Sequence, residues 1–470
     1  MRALSFPPIK ANPNNCVNSS LVRGFICALV FLLPLPASAH VRLLRSDPAS
    51  GSRVASPATI RLWFSERPDL ALTSITLRDY KGTTFSVRPP HTTANDLTQL
   101  SFPIDSVLLA GHYTVEWRAM SSDGHPSGGR FSFTVTGSPT GVAAPNAAGA
   151  AGDTNTPVTS MAPMQHTMEA SASVANSLAR AATFAGILLV VGVVVFNLLI
   201  VARSNQIGSE LVWRMESRAA AVGVAAGILV MIAAFARISL ESQMMADMPG
   251  MATMGMSAML LHTLWGFGMQ LQLVAAFVAV IAFSIAIQRV RFAWVLASIA
   301  ATALALSPAF AGHAAASARF PAFMIFTDFL HVVGGASWLG NLACVMLIGV
   351  PLIVRAGGDN KWQSVSLLVN TFSPIALASA ALVVLSGIIA ATVHLEKLSA
   401  LWSTRYGQVL LWKVAVVIIA IVIGAYNFRR VQPQLVREEG TKRLRRSTAL
   451  ELTAAVLIVV ITGVLTGIAP

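Results

Sequence analysis

V-A-N-S-L-A-R-A-A-T-F-A-G-I-L-L-V-V-G-V-V-V-F-N-L-L-I-V-A, residues 174–202, is longer than the ~20 apolar residues a helix needs to cross a bilayer. Comparable runs recur near residues 217–238, 262–287, 292–311, 322–353, 368–393, 406–428 and 449–468, which makes eight spans. The 470 residues are 55% hydrophobic and 11% charged, too apolar for an ordinary soluble chain. Ahead of the first span, residues 40–137 are polar and strand-rich. T-I-R-L-W-F-S (Thr59 to Ser65), Ser74 to Leu77, H-Y-T-V-E-W-R-A (His112 to Ala119) and Arg130 to Val135 alternate with period two between Pro, Gly and Asp. The expected fold is therefore an all-β Greek-key sandwich or barrel, followed by an all-α polytopic membrane domain of about eight transmembrane helices in residues 174–470. Residues 138–173, dominated by Ala, Gly, Pro, Ser and Thr, read as a flexible linker.

A net charge of +13 could suit nucleic acid, but the positive residues sit in short loops between spans and no basic stripe carries interleaved aromatics. No nucleic-acid partner is expected. With the first domain outside, the inner loops hold Arg203, Arg214, Arg218, Arg289, Arg291, Arg355, Lys361, Arg429, Arg430, Arg437, Lys442, Arg443, Arg445 and Arg446. The outer loops hold only Arg237, Arg319, Lys397 and Arg405. This is the positive-inside orientation of a multi-pass protein of a bacterial inner membrane. Cys16 and Cys27 precede the first domain and Cys344 lies in an apolar span, so the first domain has no disulfide framework.

Residues 1–39 read as a signal peptide: Arg2, Lys10 and Arg23 precede an apolar run from Phe25 to Leu35, and Ala37-Ser38-Ala39 is a small-residue peptidase site. Cleavage there frees the α-amino group of His40 and releases the domain into the periplasm. The alternative is an uncleaved anchor with His40 an ordinary linker residue. A free N-terminal histidine offers two nitrogens to one metal, and S-D-G-H-P at 122–126 adds the imidazole of His125 and the carboxylate of Asp123. Nitrogen-rich tetragonal sites favour Cu(II), with zinc the main competitor. Residues 41–119 contain no methionine, so a Cu(II) site without a Cu(I) site is expected there, with Met120 in the core and His91 and His112 on the surface.

The Ala-Ser-Ala site followed by His40-Val41, D-P-A-S-G-S at 47–52, L-W-F-S-E at 62–66 and S-S-D-G-H-P-S-G-G at 121–129 together resemble CopC, the periplasmic copper-binding family. The resemblance implies that His40, Asp123 and His125 are the Cu(II) ligands and that Glu66 is a carboxylate near the site. Copper monooxygenases use a similar histidine brace, but a carboxylate in the fourth position fills the place oxygen chemistry needs, so binding rather than enzymatic turnover is expected.

Under the inferred topology His262, His313 and His394 fall at outer helix ends, while Asp328 and His331 lie at i and i+3 on one face of the fifth span. The outer segment M-M-A-D-M-P-G-M-A-T-M-G-M-S-A-M presents Met244, Met245, Met248, Met251, Met254, Met256 and Met259. Thioethers suit Cu(I), although Met-rich surface also serves as lipid-facing filler. Met161, Met164, His166 and Met168 in the linker read as chance. Ionisable groups inside a bilayer are costly, so Asp328, His331, Lys413 and Glu451 form a group of interest, with Lys413 free to pair with either acid and an ordinary structural ion pair as the plain alternative. H-V-V-G-G-A-S-W-L-G-N at 331–341, F-S-P-I-A at 372–376, S-G at 386–387 and T-R-Y-G-Q-V-L-L-W-K at 404–413 resemble CopD, the copper-resistance membrane family, although Asn341 stands where a second glycine is more common. CopC and CopD acting as partners is what the resemblance implies, and one chain raises their effective concentration. The expected function is copper homeostasis: capture outside, passage inward, with copper ions, the lipid bilayer and periplasmic copper chaperones as partners. Sequestration without passage and a haem-bearing redox protein are the alternatives. No G-x-x-x-x-G-K-[ST] motif supports an ATP-driven pump.

Overall fold

A computed structural model describes residues 42–65, 67–70, 72–93, 96–120, 126–137, 174–202, 204–246, 256–312, 320–395, 397–435 and 437–468. Residues 1–39, expected to be a signal peptide, and residues 138–173, expected to be a linker, lie outside the described residues.

Residues 43–135 form two sheets. One has the order β1 (Leu43–Asp47), β3 (Thr59–Phe64), β7 (Asp96–Pro103), β6 (His91–Thr93). The other runs β2 (Arg53–Val54), β9 (Pro126–Val135), β8 (Gly111–Met120), β4 (Ser74–Asp79), β5 (Thr84–Phe85). Alternation turns Ile60, Leu62 and Phe64 inward from one sheet and Tyr113, Val115 and Trp117 inward from the other, so the two faces share one apolar core. Trp117 meets Phe64 edge to face at 5.5 Å. Its ring also covers Gly129, where a Cβ would stand 2.9 Å from the indole, so that glycine is dictated by the tryptophan. The shorter strands β1, β2, β5 and β6 and the long β7 carry weaker alternation than the four that the sequence reveals. His91, expected on the surface, is exposed there and begins the edge strand β6.

Among the described residues, eight helices are long and apolar enough to cross a membrane: α1 (Val174–Val201), α2 (Ser209–Ala246), α4 (Leu264–Ala286), α5 (Phe292–Phe310), α6 (Pro321–Ala356), α7 (Lys361–His394), α8 (Arg405–Gln434) and α9 (Glu438–Leu465). A short α3 (Met256–His262) precedes α4. The segment read as a methionine loop is therefore partly helical at both ends: Met244 and Met245 fall within α2, and Met256 and Met259 within α3. α6 is not uniform, because Ala336–Gly340 and Val345–Gly349 are π-helical. The first of these lies against α1, so closely that a Cβ on Gly340 would collide with the Leu188 carbonyl, whereas a Cβ on Gly335 would meet Leu188 at an ordinary 3.6 Å.

Gly340→Val should therefore lower thermal stability in detergent by roughly 1–3 kcal/mol equivalent, the usual cost of overpacking, while Gly335→Ala should be near neutral. In the sandwich, Asp96 accepts from the Thr98 hydroxyl at 2.6 Å and the Thr98 N–H at 2.9 Å, which hold its carboxyl below the ordinary 3.8. A carboxyl lowered by folding stabilises the fold above its unfolded value. The stability lost in Thr98→Val should thus be fully present at neutral pH and shrink as pH falls below 3.8, as read by hydrogen exchange in β7.

Candidate copper site and membrane entrance

His40, Glu66, Asp123 and His125 lie outside the described residues, but the residues flanking them do not. Arg42 N–H donates to Ser65 Oγ at 3.0 Å and Ser65 N–H to the Arg42 carbonyl at 2.9 Å. This pins the chain two residues after His40 to the residue before Glu66. Asp69 N–H donates to the Met120 carbonyl at 2.7 Å, and the Thr73 hydroxyl donates to the Asp69 carbonyl. Met120 pairs with Pro126 across the β8–β9 ladder, so these two residues bracket the connection that carries Asp123 and His125. Flanks of all four sequence-derived ligands are thereby joined at one end of the sandwich.

That end rests on the helices. Leu72 and Met120 form a single buried apolar cluster with Ala234 of α2, Met259 of α3, and Trp265 and Met269 of α4, with Met256 packed alongside. Met120 is core, as expected, but part of that core belongs to the membrane domain. Met259 is likewise buried. Met248, Met251, Met254 and His313 lie outside the described residues, as do the side chains of Met244, Met245 and His394. His262, at the end of α3, is exposed. Among the described residues no three His, Cys, Asp or Glu side chains come together to hold a metal.

The α3–α4 junction is built by Thr263, whose Oγ1 accepts from Gly266 N–H at 2.9 Å, and by Gly266, where any side chain would strike the Met259 and Leu260 carbonyls. The same device opens α8, where Thr404 Oγ1 accepts from Gly407 N–H at 3.1 Å and Gly407 lies against Ala400. Gln270 donates back to the Leu260 carbonyl of α3, and Gln408 to the Trp402 carbonyl of the short helical turn Ala400–Ser403. The buried ring in the first junction is Trp265 and in the second Tyr406.

Beyond Tyr406 lies the intramembrane polar group. Asp328 and His331 of α6 share a face, His331 ~15 Å from the Pro321 end of its helix. Lys413 of α8 interacts electrostatically with Asp328, Asp328 with the Tyr406 hydroxyl, and Lys413 with His331. His331 Nδ1 stands 3.0 Å from Ser386 Oγ, and the ring lies against Gly387. Because the Ser386 hydroxyl donates to the Leu382 carbonyl at 2.6 Å, Nδ1–H is the donor to Ser386. The ring also bonds the Val383 backbone, so two groups of α7 fix its orientation.

Glu451 does not belong to this group. Trp338 Nε1–H donates to its Oε1 at 3.3 Å and Asn427 Nδ2–H to its Oε2 at 3.1 Å. The expectation that Lys413 could pair with either acid is thus resolved toward Asp328. Sequence reasoning missed Trp338, Ser386, Tyr406 and Asn427 as partners, although the first three lie within the stretches W-L-G-N, S-G and T-R-Y-G-Q. Only their arrangement in space assigns them.

The comparisons follow this division. Residues 43–136 match the CopC domain family, residues 168–319 the copper resistance protein D-like N-terminal domain, and residues 366–465 copper resistance protein D. The chain is 26% identical over 449 residues to the copper transport protein CutJ of Bacillus subtilis, covering 92% of this chain and 77% of CutJ. It is 34% identical over 127 residues to copper resistance protein C of Escherichia coli, covering 25% of this chain and 97% of that protein. Among solved structures, CopC from Methylosinus trichosporium OB3b is 31% identical, covering 20% of this chain and 93% of that one with a TM-score of 0.19.

Leu72→Asp places a charge in the docking cluster without touching the sandwich core. It should raise hydrogen exchange across residues 256–269 by about tenfold or more while leaving β8 and β9 protected. Unchanged exchange would mean the two domains do not rest on each other there.

Proposed function

We propose a function from one premise: this chain belongs to the CopC and CopD copper-resistance families, joined in a single polypeptide. Its sandwich captures Cu(II) through the amine and imidazole of His40 with Asp123 and His125, Glu66 standing nearby. It then hands copper to the membrane domain for passage into the cytoplasm. The sandwich faces the periplasm and the helices span the inner membrane, a reading supported by the concentration of Arg and Lys in loops at the opposite end. The chain is a binding and delivery protein, without enzymatic turnover.

The observation that carries this reading is the docking cluster. The residue that begins the Asp123–His125 connection, Met120, is buried against Met259, Trp265 and Met269. A metal held on that connection is therefore presented to the methionine-bearing segment. Thioethers hold Cu(I), so Cu(II) must gain one electron on transfer, which an extracytoplasmic reductant supplies. His331 follows, its ring held on α7 by Ser386. Periplasmic copper chaperones are the natural donors to His40.

Copper accumulation in cells should fall by about tenfold in both His125→Ala and His331→Ala relative to wild type, since each removes a binding group on the route. Unchanged accumulation in both would reject the route, and protection from copper without a change in cytoplasmic copper would establish sequestration instead. N-terminal sequencing of the mature protein should begin at His40; any other start removes two of the ligands.

A further inference from the structure

Glu451 is 4% exposed, inside α9, and both of its partners are neutral donors. Among the described residues no cation forms an ion pair with it. From α6 it faces Trp338, and from α8 Gly424 and Asn427. α7 has no charged side chain between Lys361 and His394, and the one charged residue of α1, Arg180, donates to the Thr466 carbonyl beyond the opposite end of α9. Arg429 and Arg430 of α8, and Arg445 and Arg446 of α9, are exposed. A buried carboxylate at bilayer depth with only neutral donors lacks several kcal/mol of compensation, which a bound proton supplies.

The surroundings fit both states of such a group. Asn427 Oδ1 and Thr448 Oγ1, one turn from Glu451 on α9, are buried with no hydrogen-bond partner. The Asn427 amide can donate its N–H to the carboxylate and, once rotated, accept the O–H of the protonated acid through Oδ1. Both donors also sit on π-helical segments, Trp338 in Ala336–Gly340 and Asn427 in Asn427–Val431, features that concentrate at functional sites. At the next residues of α8 a 370 Å³ cavity is lined by Phe428, Gln432 and Pro433 with Ser366 and Asn370 of α7.

We propose that Glu451 is a proton-binding site coupled to copper passage, holding a proton when copper is absent and releasing it through this cavity when copper passes. The copper-coupled part rests on the transport reading above. The proton leaves to the cavity side as a monovalent copper ion passes and returns from that side when the ion has gone, so the charge of the membrane domain is unchanged during passage.

The test uses the full chain in lipid vesicles. Without copper, infrared spectra should show a buried carboxyl stretching band that titrates with pH and is missing in Glu451→Gln. In Trp338→Phe, which retains the acid but removes a donor, the band should shift in frequency. A band unchanged in both variants overturns the proton site whether or not copper is transported. With Cu(I) and ascorbate outside, wild-type uptake should respond to interior pH by about tenfold and Glu451→Gln by less than about twofold. An equal response in both overturns the coupling. No copper uptake by wild type, with the Glu451 band present, overturns the transport reading alone.

Discussion

The hydrogen bond from Asp69 N–H to the Met120 carbonyl closes the end of the sandwich, while the Met120 side chain leaves that sandwich for the helices. One residue thus ties together the sheet, the connection carrying Asp123 and His125, and the surface formed by α2, α3 and α4. A backbone donor and acceptor buried at such a junction must be paired, because neither solvent nor lipid can satisfy them. The rest of the arrangement follows from this contact: the sandwich meets the bundle with the end that joins β8 to β9, beside α3.

Inside the bilayer the governing constraint is the cost of uncompensated charge. Opposite charges at Asp328 and Lys413 interact, and His331 is oriented by a serine whose own proton is already committed. Glu451 has dipoles for partners and no charge. Two acids on the same kind of apolar background therefore receive different treatment, and the difference lies in which residue of α8 faces them, Lys413 for Asp328 and Asn427 for Glu451.

The sandwich and the eight spans were legible because period-two alternation and ~20-residue apolar runs are strong signals. The i, i+3 placement of Asp328 and His331 survives in space because helix periodicity is local. Ser386 and Asn427 were illegible for the opposite reason: each meets its partner across a long sequence separation, and a lone Ser or Asn in an apolar run carries no signal of what it faces. The docking of Met120 on Trp265 and Met259 was equally hidden, since an isolated methionine at a strand end reads as core without saying whose. The repeated Thr-x-x-Gly junctions at Thr263 and Thr404 could have been found by comparing the two segments directly.

The two π-helical segments of α6 change the angular phase of that helix. Each admits one residue beyond the α-helical repeat, which rotates everything after it by about 100°. His331, ahead of both, is directed to α7, whereas Gly340, at the end of the first, is pressed against α1. A strictly α-helical α6 would carry a single stripe for a single neighbour along its length. With two phase steps, one continuous helix presents different faces at different depths, and so serves several partners without being broken.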